Sequence, residues 1–249
     1  IIVTTKKGNR GKPTFNYSYG FSTDSRTKNS ELTSAVQAGE MYTRINGSAD
    51  PAGWAWSQDE IDHFKTINGG WGYDQLETVW RNPTTQTHNL SVNGGSDRVR
   101  YFGAASYVKQ EGFLKPLTYD KYNIRMNVTA DITKDLEVFA GLAIYNNFTG
   151  NAVFEDAGSN YSKLRVWQPD QPVYTDNGQY IDYGWIANMG AAVDGRGGYN
   201  KSQMLKPQAV ISATYKMPFL KGLSAKVSYS RSWTNDVNKK FYINYDLVT

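Results

Sequence analysis

The sequence predicts an all-β protein: an antiparallel up-and-down sheet that forms part of a transmembrane β-barrel. Two patterns support this, a strict alternation of apolar and polar residues and an alternation of short and long connections. The composition agrees with them. The mean hydropathy of −0.59 is too polar for a helical membrane protein, and the chain has no apolar run long enough for a transmembrane helix. A barrel strand needs an apolar residue only at every second position.

The alternation is clearest in residues 122–132. The apolar positions are Tyr122, Ile124, Met126, Val128, Ala130 and Ile132, and the polar positions are Asn123, Arg125, Asn127, Thr129 and Asp131. A period of two predicts a strand with one apolar face and one wet face. Related patterns predict further strands at residues 14–22, 87–93, 98–109, 137–145, 207–217, 223–231 and 240–246.

The connections between these strands are unequal in a regular way. Short turns are predicted at residues 93–97, 133–136 and 217–222, and long connections at residues 22–85, 110–119 and 146–206. In a meander, this order places all short turns at one rim and all long connections at the other. Short periplasmic turns and long extracellular loops are typical of bacterial outer-membrane barrels.

The first long connection is expected to contain two short helices on the extracellular side of the barrel. Apolar residues recur at helical spacing in residues 30–45, where Ser30 can serve as the N-cap. A second helix is predicted in residues 57–67, where Ser57 and Glu60 have the spacing of a capping box.

Aromatic residues near the strand ends are candidates for an interfacial belt, although ordinary loop packing would also explain them. They are Tyr107, Tyr119, Tyr145, Phe148, Tyr229 and Trp233.

One hairpin sequence carries a specific resemblance. Residues 86–102 contain two extended segments joined by Asn93-Gly94-Gly95-Ser96-Asp97, a turn built from residues that tolerate positive φ. This block resembles the first barrel hairpin of SusC/RagA-type TonB-dependent outer-membrane transporters. Three further blocks, residues 1–8, 110–127 and 171–180, resemble the same family in the same order.

The resemblance implies a division of the chain and a function. Residues 1–11 would be the last strand of a plug domain and its linker, and residues 12–249 the N-terminal part of the barrel, so the sequence is expected to be an excerpt. The implied function is TonB-coupled import of an oligosaccharide or oligopeptide across the bacterial outer membrane. The implied partners are a SusD-type surface lipoprotein, outer-membrane lipid, and TonB, which would bind through a plug segment outside this chain.

Other functions have less support in the sequence. The charges are interspersed, so no nucleic-acid surface is expected. We expect no enzymatic activity, because His63 and His88 lie on different elements and no catalytic or metal-binding constellation is evident; no cofactor is predicted. Two alternatives to active import stay open at this point: a soluble carbohydrate-binding β-sandwich and a passive porin.

Substrate contacts are predicted in the last long connection. Sugar C–H faces can stack on aromatic rings, while carboxylates and amides bind hydroxyl groups. The candidates are Tyr161, Trp167, Tyr174, Asp176, Asn177, Tyr180, Tyr183 and Trp185. Alternatively, the aromatic residues could fold this loop or contact a lid protein. Asp176-Asn177-Gly178 itself predicts a turn.

Overall fold

The strands form one antiparallel sheet in the computed structural model, which describes residues 8–27, 33–46, 55–153, 157–183, 188–220, 222–244 and 247–248. Within these ranges the strands are β1 (Gly11–Thr23), β2 (Thr84–Gly95), β3 (Val99–Glu111), β4 (Thr118–Asp131), β5 (Leu136–Asn151), β6 (Gly198–Lys216), β7 (Ser224–Ser232) and β8 (Asn235–Tyr242). Strands β1 to β7 are neighbours in chain order, and the sheet is not closed. The predicted meander is therefore confirmed.

Strands β7 and β8 are two parts of one long strand. Both pair with β6, and the register that joins Gln208 to Ser232 continues unchanged where Leu205 pairs with Asn235. The interruption lies opposite Pro207, which has no backbone N–H to donate, although its carbonyl accepts from the N–H of Trp233 at 3.3 Å. The prediction of a separate strand at residues 240–246 was therefore wrong.

The two faces of the sheet differ in chemistry and in curvature. Cross-strand partners share a face, so the register groups Ile124 with the apolar residues Ala105 and Ile144. Ile124 is exposed, whereas Asn127 and Thr129 on the opposite face are only 3% and 1% exposed. The polar face is therefore concave and the apolar face convex, which is the arrangement expected for a barrel wall with a polar interior.

The connections alternate as predicted, with two corrections. Residues 96–98, 132–135 and 217–223 link strands at one rim, and residues 24–83, 112–117 and 152–197 link them at the other. The middle connection, expected over residues 110–119, is short because β3 and β4 remain paired up to Glu111 and Thr118. Residues 198–206, predicted as loop, extend β6, because residues 198–205 pair with β8 and residues 200–206 pair with β5.

Five short α-helices lie in the described parts of the two longest connections, and not in the first alone as expected. They are α1 (Ala35–Asn46), α2 (Gln58–Thr66), α3 (Gln75–Val79), α4 (Ala157–Arg165) and α5 (Met189–Val193). The capping box of Ser57 and Glu60 is confirmed. At α1 the hydroxyl of Ser34 accepts from the N–H of Gln37 at 3.1 Å, and the predicted cap Ser30 lies outside the described residues. None of the described helices is long and apolar enough to cross a bilayer.

The largest buried core lies beside the sheet and not between two sheets. The long-connection rim is covered by what we call the cap, the described residues of 33–83, 112–117 and 152–197. Its core contains Leu76, Leu114, Leu164, Met189 and Val193. The described strands form a single layer, so the alternative of a β-sandwich was wrong.

Candidate functional site

The concave face carries a groove of about 670 Å³ across strands β1 to β6, in which polar side chains lie beside apolar ones such as Phe102, Ala104 and Ala143. Its lining combines hydroxyl and amide groups with two cations, and no carboxylate occurs among the lining residues that the structure describes. The polar lining residues are Asn16, Ser18, Asn89, Ser91, Ser106, Asn123, Arg125, Tyr145, Lys206 and Gln208. This chemistry suits an oxygen-rich neutral or anionic molecule, or a polar protein segment.

Side chains on the concave face are held by contacts between adjacent strands. The amide of Asn123 donates to the hydroxyl of Ser106 at 3.1 Å, and the hydroxyls of Tyr119 and Tyr145 lie 3.1 Å apart. The ammonium group of Lys121 lies 5.4 Å from the ring centre of Tyr145. These contacts fix the donors and acceptors before anything binds, which lowers the cost of ordering them.

Near the short-turn rim, the concave face carries an ion cluster. The guanidinium of Arg100 donates to the carboxylates of Asp131 and Glu137, each at 2.9 Å. The segment that precedes β1 crosses the same region, where the N–H of Asn9 donates to the side-chain oxygen of Asn93 at 2.8 Å. The chain therefore enters the sheet from its concave side.

On the convex face, a row of rings crosses five strands near the long-connection rim. Tyr19 lies 4.9 Å from His88, His88 lies 6.0 Å from Tyr107, and Tyr107 stacks on Tyr122 at 4.8 Å between ring centres. Phe148 continues the row at 6.2 Å from Tyr122. We call these five residues the aromatic row. An interfacial position suits such rings, which combine apolar bodies with polar tips.

The sequence predicted only part of this row. Tyr107 and Phe148 belong to it, and Trp233 also faces the convex side. Tyr229 lies near the middle of the sheet opposite Ile211. For Tyr119 and Tyr145 the belt prediction was wrong, because the register places both on the concave face.

Four of the predicted substrate residues form two ring pairs inside the cap. Tyr174 and Tyr180 lie 5.0 Å apart, and Trp167 and Tyr183 lie 6.0 Å apart, between ring centres. Tyr180 is only 3% exposed, and its hydroxyl donates to Asp194 at 2.6 Å. Tyr183 donates to the carbonyl of Pro172. These contacts hold the four rings within the cap.

The other candidates are dispersed. Tyr161 packs against the cap core from α4. Asp176 and Asn177 are exposed in the predicted turn, which Gly178 closes at a φ of 75°. Trp185 lies outside the described residues.

Asp194 joins two parts of the cap. Besides the Tyr180 hydroxyl, it binds the ammonium group of Lys115 at 3.0 Å. Burial alone would raise the pKa of Asp194, but these hydrogen bonds and nearby cations hold it below its ordinary value. Burial, together with the bond to Asp194, raises the pKa of Tyr180. The carboxylate therefore remains charged and fixed between the connections.

A hollow of about 170 Å³ in the cap brings Trp167 together with residues that sequence reasoning missed. Trp71 and Tyr73 line it and are 52% and 36% exposed, and Gln75 lines it while almost fully buried. The amide of Gln75 donates to the carbonyl of Gln171 at 2.7 Å. The Gln75 Oε1 and Trp167 Nε1 atoms are buried without a hydrogen-bond partner among the described residues.

Arg81 was also missed. Its guanidinium donates to the carbonyls of Gly112 at 2.7 Å, Lys115 at 3.2 Å, and Leu114 and Leu117 at 3.3 Å. One side chain thus satisfies four backbone carbonyl acceptors in the short connection between β3 and β4. The sequence could not predict these contacts of Arg81, because its hydrogen-bond partners are backbone carbonyls, which every residue has.

An open antiparallel wall with an apolar convex face and a polar concave face defines a partial membrane barrel, and comparisons with known proteins give the class. The chain is 27% identical over 200 residues to the TonB-dependent receptor P3 of Formosa agariphila, covering 78% of this chain and 18% of that protein. It is 24% identical over 181 residues to the TonB-dependent receptor SusC of Bacteroides thetaiotaomicron, covering 72% of this chain and 16% of SusC. No protein-family model matches the chain.

Solved structures show the same fold. The RagAB peptide transporter matches with a TM-score of 0.69 and 19% identity, over 93% of this chain and 29% of that chain. The RagAB peptide importer in its 'open-open' state matches with a TM-score of 0.68. The resemblance to SusC/RagA-type TonB-dependent transporters is thus confirmed. TonB-dependent receptors are outer-membrane β-barrel proteins, and the predicted fold and location agree with them. The chain spans less than a fifth of the length of the curated relatives.

Proposed function

We propose that this chain forms the first part of the barrel wall of a TonB-coupled importer, in which residues 1–11 end a plug domain. The observation that carries the proposal is the pairing of an apolar convex face with a polar concave face in a sheet similar to that of the RagAB peptide transporter. The entry of Asn9 on the concave side supports a plug inside the barrel. Residues 1–7 lie outside the described residues.

The proposed cargo is an oligosaccharide or an oligopeptide, and a SusD-type lipoprotein is the proposed lid on the cap. The hollow lined by Trp71, Tyr73, Gln75 and Trp167 is the proposed cargo contact, because the rings of Trp71 and Tyr73 are partly exposed beside it. The eight residues predicted from the sequence remain a proposal, with Trp167 the member that lines the hollow.

The test is uptake by cells that carry the full-length protein. Labelled oligosaccharides and peptides should enter wild-type cells and not cells that lack TonB; uptake that is independent of TonB would favour the passive porin. Tagged protein from outer membranes should also retain a surface lipoprotein. Trp71→Ala should reduce uptake severalfold, whereas Trp233→Ala on the convex face, the matched control, should not.

The proposed contact between the hollow and the cargo can be tested separately from the importer proposal. If Trp71→Ala and Trp167→Phe both leave the uptake and binding of cargo unchanged, the hollow does not contact cargo. The importer proposal then stands on the TonB dependence alone.

A further inference from the structure

A second groove lies on the convex face, close to the long-connection rim. It has a volume of about 520 Å³ and runs across β4, β5, β6 and β8. Two lysines and several neutral polar groups line it beside apolar side chains. The lining includes Thr118, Asp120, Phe148, Lys201, Val237 and Lys239.

The two lysines are directly opposite each other. Lys201 of β6 pairs with Lys239 of β8 in the antiparallel register. Directly opposed like charges destabilise a strand pair. In the part of the chain that the structure describes, neither lysine forms an ion pair with a carboxylate, and Lys201 lies over the ring of Tyr199 at 5.3 Å. A bound anion would remove the repulsion between the two ammonium groups.

One carboxylate also lines this groove, and it already has a partner. Asp120 accepts from the hydroxyl of Tyr107 at 2.7 Å, a contact within the convex face. The next cation on this face, Lys109, is paired with Glu111 at 2.9 Å. Asp120 keeps its negative charge, so one carboxylate and two ammonium groups leave the lining with a net charge of +1, and this excess positive charge lies at the lysine pair on β6 and β8.

The position of the groove identifies the kind of anion. Phe148 belongs to both the groove and the aromatic row, and the lysines lie one pair further toward the long-connection rim. On the other side of the row the convex face is apolar, with Ile124 and Met126 exposed. A row of this kind marks the boundary between hydrocarbon and headgroups. The lysine pair therefore lies at the depth of lipid phosphates.

We propose that Lys201 and Lys239 bind a phosphate group of an outer-leaflet lipid, whose acyl chains lie against Val237 and the apolar convex face below. The phosphate supplies several acceptors for the two ammonium groups, and the hydroxyl of Thr118 can donate to it. This inference rests on the outer-membrane location of the proposed importer, but it concerns the outside of the barrel and not its cargo.

The test is lipid binding by the full-length protein in detergent, measured by native mass spectrometry with bisphosphorylated lipid A as the probe. The double variant Lys201→Gln/Lys239→Gln should bind about 25-fold more weakly, since each cation near an anionic surface contributes about fivefold. The control is Lys226→Gln/Lys240→Gln, two lysines of β7 and β8 on the concave face, which should bind like the wild type.

Three results would overturn the proposal. They are equal binding by the double variant and the wild type, undiminished binding of dephosphorylated lipid A, and full displacement of the lipid by millimolar inorganic phosphate, which would indicate a site for free anions. Because Lys201→Gln or Lys239→Gln could impair folding, heat-modifiable gel mobility and each single variant are measured alongside. Loss of cargo uptake with retained lipid binding would count against the importer proposal and not against this site.

Discussion

Replacing Met126 by arginine tests whether the convex face contacts lipid. Met126 lies in the middle of β4, pairs with Gly103 and Leu142, and is 55% exposed. It lies six positions from Ile132, at the short-turn rim, and four positions from Tyr122 of the aromatic row.

The expected cost follows from this depth. Six and four residues correspond to about 20 Å and about 13 Å along a strand, at ~3.3 Å per residue. With strands tilted by about 40°, the introduced guanidinium is about 15 Å in depth from Ile132 and about 10 Å from the aromatic row, beyond the reach of its own side chain. An arginine at the bilayer midplane costs about 2–4 kcal/mol, and one near the interface about 0–1 kcal/mol. We therefore expect Met126→Arg to cost about 3 kcal/mol and Ile132→Arg less than about 1 kcal/mol.

The assay is equilibrium unfolding by urea of the full-length protein in phospholipid vesicles, with the free energy of unfolding compared between variants. The matched control is Gln208→Arg on the concave face, which should change this free energy by less than about 0.5 kcal/mol. Gln208 lies on the same face as the native Arg125, because Gln208 pairs with Ala143 and Ala143 pairs with Arg125. Equal costs for Met126→Arg and Gln208→Arg would refute the assignment of the convex face to lipid.

Three further predictions concern the cap. Arg81→Lys should open the connection between β3 and β4, because an ammonium group cannot reach the four carbonyls that the planar guanidinium binds. The rate of hydrogen exchange in residues 112–117 should then rise at least tenfold. The pKa of Asp194 is lower in the folded cap than its ordinary value of 3.8. Its negative charge therefore stabilises the cap above pH 3.8, and this stabilisation is lost as the pH falls through the pKa of the folded state. Asp194→Asn should therefore loosen the cap at pH 7 and remove the carboxylate's share of its acid sensitivity, measured by proteolysis between pH 7 and 3; an unchanged acid profile would contradict this. Ser57→Ala should cost about 1 kcal/mol of local helix stability, detected as faster exchange in α2, with Ser162→Ala inside α4 as the control.

The sequence predicted the wall better than the cap. Alternation identified the faces of β4 correctly, because each of its residues from Tyr122 to Asp131 lies within the zone where one face is apolar and the other polar. Residues 198–206 carry no clear alternation, because polar residues occur on both faces of β6, with Lys201 and Gln203 on one face and Asn200 and Ser202 on the other, so they were predicted as loop. The alternation of apolar and polar residues therefore reflects the chemical difference between the two faces of a strand, and not strand formation itself.

The candidate sites were harder to predict, because their geometry joins distant parts of the chain. The aromatic residues of the last connection were identified correctly as a group, but composition could not show that Tyr180 is buried on Asp194. Gln75 meets Gln171 across 96 residues, and no local pattern indicates that contact. The lysine pair on β6 and β8 depends on the register, which was not known from the sequence.

The order of strand pairing has a consequence for how the molecule assembles. Every strand from β2 to β7 pairs with the strand that precedes it in the chain, so the wall can grow one hairpin at a time without threading. The cap cannot follow that order, because the N–H of Tyr73 donates to the carbonyl of Pro169, which joins the connection after β1 to the connection after β5. We therefore expect biogenesis to proceed in two stages, in which the strands of the wall pair first and the contacts that join the connections of the cap form last.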